Sequence, residues 1–140
     1  MSQTGLAAFD RAVHTANRWL ADVAAEFDTD DHEFVYRVTR AWLHAVRDRL
    51  PLTDAAHLGA QLPELLRGVY YDGFDPALLP VKYNRDQFVA RFAADARVSG
   101  PDVPRAARAV STAFNRHLSG HLAAALGHFP ADLQDILRPN

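Results

Sequence analysis

DDHEFVYRVTRAWLHAVRDRLP, residues 30–51, decides the fold class. Val35, Val38, Trp42, Ala45 and Val46 recur at steps of three and four, which gathers them on one side of an α-helix and on no single face of a strand. Asp30 is placed to cap this helix, Glu33 follows three residues later as in a capping box, and Pro51 ends it. Arg37, Arg40, His44 and Arg47 fall on the opposite arc, where a solvated face is expected.

The same period continues to either side. Phe9, Val13, Ala16, Leu20, Val23 and Phe27 form the stripe of a preceding helix. After Pro51, Thr53 is expected to cap a short helix through Leu62, and Pro63 to occupy the first turn of another, ELLRGVYY. Asn84 with Gln87 makes a second capping box ahead of FVARFAADA; SGPD interrupts, and Asp102 is expected to cap a long helix carrying Val103, Ala106, Val110, Ala113 and Phe114. Ser119-Gly120 marks a turn, a short helix follows, and Pro130 opens the last one. No stretch alternates with period two, so the expected fold is all-α.

The second half follows the order of the first. WLADVAAEF from Trp19 answers to FVARFAADA from Phe88, TRAW from Thr39 to ARAV from Ala107, and AAHLGAQLPELL from Ala55 to AAALGHFPADL from Ala123. The expectation is a single compact domain over residues 1–140 made of two pseudo-repeated helical lobes, 6–71 and 85–138, joined by an aromatic, proline-rich linker at 72–84. A lobe of roughly 65 residues is marginal alone, so the two are expected to share an interface.

GVYYDGFDP, the preceding AAHLGAQLPELLRG, the later VKYNRDQFVARF and the two-lobe repeat together resemble the bacterial family of domain of unknown function 2267 (DUF2267), over about Phe9 to Leu137. Phe74 stands where that family usually has tryptophan, and Phe129-Pro130 where it more often has leucine-proline. The resemblance implies a small, soluble, all-helical bacterial protein and brings no activity, substrate or cofactor with it.

Composition narrows the function classes. A net charge of −2 and a pI near 6.4 supply no general attraction for phosphate backbones, so a nucleic-acid partner is not expected. Without cysteine there is neither a disulfide framework nor a thiolate nucleophile. The N-terminal MSQTGLAAFDRAV has no basic flank before an apolar run, and no segment approaches the roughly 18 apolar residues that span a bilayer. The expected location is the cytoplasm. Residues 1–80 carry −5 and residues 81–140 carry +3, a division suited to docking the halves on each other or to self-association.

Motifs for metal or catalysis are missing. His117 and His121 are four apart but separated by the expected turn, HEFVY lacks the second histidine of HExxH, and the acidic run at residues 28–33 lacks the glycine and distal glutamate of a calcium loop. No metal or cofactor is expected. Ser99, Ser111 and Ser119 have no nucleophile-elbow context.

The leading expectation is a noncatalytic interaction or scaffold module that meets a protein partner, or a second copy, through Tyr70, Tyr71, Phe74, Lys82 and Tyr83. The competing reading is a small-anion or metabolite binder using Arg37, Arg40, Arg105 and Arg108, pairs that correspond in the repeat. A third is an enzyme whose site has no recognisable motif. For the linker itself, Asp72-Gly73 and the two prolines are expected to turn the chain while Tyr70, Phe74 and Leu79 plug the seam between lobes.

Overall fold

In the computed structural model, which describes residues 4–140, the stretch at 30–51 is the centre of the molecule. Among the described residues eight helices follow one another: α1 (Ala7–Phe27), α2 (His32–Arg49), α3 (Leu52–Ala60), α4 (Glu64–Tyr71), α5 (Arg85–Ala96), α6 (Val103–Leu118), α7 (Gly120–Leu126) and α8 (Ala131–Leu137). Two 3₁₀ turns, Pro76–Leu78 and Gly100–Asp102, lie between them, and there is no strand among the described residues.

Packing crosses the chain midpoint. α5 lies along α2 and α1 along α6; α2 meets α6, α3 meets α7, α4 covers α2 and α8 covers α6. Under the correspondence expected from the sequence, α1 answers to α5 and α2 to α6, so the two main pairings change places. The first helix of each half rests chiefly on the long helix of the other, and one continuous apolar cluster results.

Trp42 anchors that cluster. Its ring and that of Trp19 both meet Phe114 edge-on, at 5.3 and 5.1 Å between centroids, and the Trp42 indole N–H donates to the buried Ser111 hydroxyl at 2.9 Å. An indole can be wholly buried only when its donor finds such an acceptor. Phe88 and Phe92 fill the side where α5 lies on α2.

Several local expectations shift. Phe9 is 56% exposed, because burial on α1 begins only at Ala16 and continues through Trp19 and Val23. α2 is capped by Asp31, whose carboxylate accepts from the Phe34 N–H, and not by Asp30; the Thr29 hydroxyl accepts from the Asp31 N–H and sets the turn one residue later. Thr53 lies inside α3 because Pro51 already serves as its N-cap, and Pro63 and Pro130 stand one place before their helices with extended backbone. Asp102 makes no capping bond; its carboxylate accepts from the Ser99 hydroxyl at 2.9 Å. The Asn84–Gln87 capping box is present, with reciprocal bonds of 2.8 and 2.9 Å.

The largest correction concerns α2. His44 and Arg47, assigned to its solvated face, are buried, Arg47 with only 3% exposure. From Ala41 to Asp48 every residue is buried, since α4 and the central segment cover the side left polar by the stripe.

Candidate functional site

The buried polar side of α2 works as a clamp on the central segment. Helix ends leave carbonyls without intrahelical donors, and α4 ends beneath this face of α2. His44 Nε2 lies 2.7 Å from the Val69 carbonyl, while Arg47 Nη1 donates to the carbonyls of Tyr70 at 2.6 Å and Asp72 at 2.8 Å. The rest of the Arg47 fork grips Asp48, at 2.6 and 3.2 Å, and its guanidinium lies over the Phe74 ring at 5.6 Å.

Asp48 joins this clamp to the second half. Arg91 of α5 forms an ion pair with its other side, and the Asp48 carbonyl accepts from the Val81 N–H at 2.6 Å. Tyr83 closes the segment by donating its hydroxyl to the Ala45 carbonyl, with Arg91 over its ring at 5.7 Å. Between these fixed ends, the Asp75 carboxylate accepts from the Ala77 N–H and caps the Pro76–Leu78 turn; the Leu79–Pro80 peptide is cis.

Protonation follows from this geometry. Burial works against the charge of Asp48, but the hydrogen bonds from Arg47 and Arg91 outweigh it and hold the carboxyl below its ordinary range. Burial lowers the His44 imidazole, against the raising effect of its bond to Val69, with Arg47 and Arg40 adding to the fall. The Val69 carbonyl can only accept, so Nε2 carries the proton of this bond. Burial raises the phenols of Tyr70 and Tyr83. For Arg91 burial opposes the charge, yet Asp48 more than compensates. All of these displaced groups are used in the clamp or in direct bonds to backbone, so the displacements have structural causes.

The aromatic candidates divide. Tyr70 and Tyr83 are buried, Tyr70 donating to the Ala55 carbonyl at 2.7 Å, so neither belongs to an exposed surface. Tyr71 and Phe74 are half-buried and meet edge-on at 5.3 Å; Lys82 is exposed and has no partner among the described residues.

The four candidate arginines do not converge. Arg37 Nε donates to the Ala96 carbonyl at 3.1 Å, Arg40 pairs with Asp72 at 2.6 Å, and Arg108 donates to the Asp135 carbonyl. Arg105 is exposed and has no partner among the described residues. Arg37 and Arg108 thus bond carbonyls near helix C-termini, where cations are favoured by the carbonyl dipole, and Arg40 is held by a carboxylate. Elsewhere on the surface, Glu26 is bonded to Arg116 at 2.5 Å and Asp95 lies 3.9 Å from Arg91.

The histidines are scattered as well. His117 stacks on Trp19 at 4.3 Å and reaches Asp22 at 2.6 Å, whereas His57 and His121 share a cavity of about 200 Å³ with Asp54. No three histidine, aspartate or glutamate side chains among the described residues are arranged to hold a metal ion.

Residues 16–136 match the family described as "Uncharacterized conserved protein (DUF2267)". The chain belongs to the DUF2267 family. No curated protein matches it. In this DUF2267 protein the GVYY motif has a direct packing partner. At Gly59 of HLGAQLP, a Cβ would stand 2.5 Å from the Tyr71 hydroxyl oxygen and 2.9 Å from Tyr70 Cε2, so α3 and α4 touch through a glycine.

Asp48 and Arg91 were not singled out by sequence. The available signal was position: Arg91 sits three residues after Phe88 and one before Phe92, at the edge of a buried stripe, where a charge needs a partner.

Proposed function

We propose that this protein is a noncatalytic protein-interaction module, and that its contact surface is the outer side of the central segment, formed by Tyr71, Phe74, Leu78 and Lys82. The observation that carries this is Leu78, 63% exposed on a short turn whose flanks are held from beneath by Arg47, Asp48 and Tyr83. An apolar side chain on a segment already fixed loses little conformational entropy when a partner covers it. Lys82, without a partner among the described residues, adds a charge at the edge of the same segment. The family resemblance supports a bacterial setting for this role.

Photo-crosslinking in cells tests the reading. A benzophenone side chain at position 78 or 82 is expected to capture the same protein, and one at the exposed Arg18 of α1 is not. Phe74→Ala, checked by circular dichroism, is expected to reduce capture from both positions. Equal capture from positions 78 and 18 would remove the central segment as the contact surface.

A further inference from the structure

Between the start of α2 and the end of α5 is a cleft of about 380 Å³ lined by His32, Glu33, Tyr36, Arg37 and Arg97. We propose that this cleft binds a small oxyanion, a phosphate or a carboxylate, between the guanidinium groups of Arg37 and Arg97.

The two arginines are brought together by backbone. Arg37 Nε donates to the Ala96 carbonyl, one peptide before Arg97, and its guanidinium lies over the Phe34 ring at 5.8 Å; its two terminal nitrogens have no hydrogen-bond or ion-pair partner among the described residues. Arg97 has none either. Two guanidinium groups beside one cleft repel unless an anion lies between them, and their forked donors suit paired oxygens. Tyr36, 43% exposed on the same wall, offers a hydroxyl and a ring face. The volume is at the lower end of the roughly 300–1,000 Å³ common for ligand sites. It suits phosphate or a short dicarboxylate.

Arg97 also occupies a backbone position that favours another residue. It ends α5 in the left-handed region, φ 58°, where glycine is adopted at less cost. A large cation there is not required by the helix end, because the capping bond to the Ala93 carbonyl comes from its backbone N–H. Among the described residues Glu33 is the one acid lining the cleft, and it pairs with neither arginine. It competes with a bound anion, which gives the test a variant of opposite sign.

The experiment is a pair of amide NMR titrations, one with inorganic phosphate and one with succinate, each against sodium chloride at equal ionic strength. Saturable shifts are expected at residues 32–37 and 96–98. Saturation by phosphate alone assigns the site to phosphates, by succinate alone to carboxylates, and by both to oxyanions of either kind. Arg97→Gly keeps the helix end and is expected to weaken binding roughly tenfold or more, whereas Glu33→Gln is expected to tighten it a few-fold. If neither anion exceeds chloride at these amides, or if Arg97→Gly leaves both titrations unchanged, the proposal is overturned.

Discussion

Arg91 of α5 and Asp48 of α2 form an ion pair across the two halves of the chain, on a carboxylate already gripped by Arg47. Removing the charge at its centre strands the buried Arg47 guanidinium and leaves the partly solvated Arg91 without its partner. Asp48→Asn is expected to cost about 3 kcal/mol, read as a lower urea midpoint. Arg91→Ala, on a side chain that remains partly solvated, is expected to cost about 1 kcal/mol.

The clamp also sets the pH response. Asp48 has a folded pKa below its unfolded value, so its contribution is present above the unfolded pKa and is lost as pH falls through the folded one. His44 is likewise depressed: the unfolded chain takes up a proton near about pH 6.5 while the folded chain resists it, so stability declines on acidification below that point. Urea unfolding from pH 8 to 3 is expected to show both losses. His44→Gln flattens the upper part of the decline, and Asp48→Asn flattens the lower.

Two buried hydroxyls should respond in opposite directions. Thr39 is 1% exposed and its Oγ1 has no hydrogen-bond partner among the described residues, whereas the Ser111 hydroxyl accepts the Trp42 indole N–H. Thr39→Val removes an unsatisfied group and is expected to stabilise by about 1 kcal/mol; Ser111→Ala strands a buried donor and is expected to cost about 2 kcal/mol. Urea midpoints with unchanged m-values check both.

Two glycines should part in the same way. Gly68→Ala, on α4 with open space at the added methyl, is expected to gain about 0.5–1 kcal/mol. Gly59→Ala drives a methyl into Tyr71 and Tyr70 and is expected to lose about 1–3 kcal/mol. Thermal melts of the two variants read the difference directly.

The outline of α2 was legible because its period and its terminating proline are properties of neighbouring residues. The Asn84–Gln87 box was legible for the same reason, since donor and acceptor are three residues apart. The cap of α2 was displaced by one residue because Thr29, Asp30 and Asp31 all offer oxygens, and the turn geometry chose among them. Of the site candidates, Lys82 is exposed and Tyr71 and Phe74 are half-buried, but Tyr70 and Tyr83 went to the interior. An aromatic ring with a hydroxyl reads the same in sequence whether that hydroxyl meets water or, as here, the carbonyls of Ala55 and Ala45.

By itself, then, the stretch at residues 30–51 determined a helix with one apolar stripe and an opposite face of arginines and histidine. Only the tertiary structure decided that this second face is interior. Periodicity records which side chains share a face, an effect of local geometry; whether that face meets water depends on which distant backbone comes to rest on it. Here the end of α4 brings carbonyls that need donors, and Arg47 supplies them, while α5 supplies Arg91 for the remaining charge of Asp48.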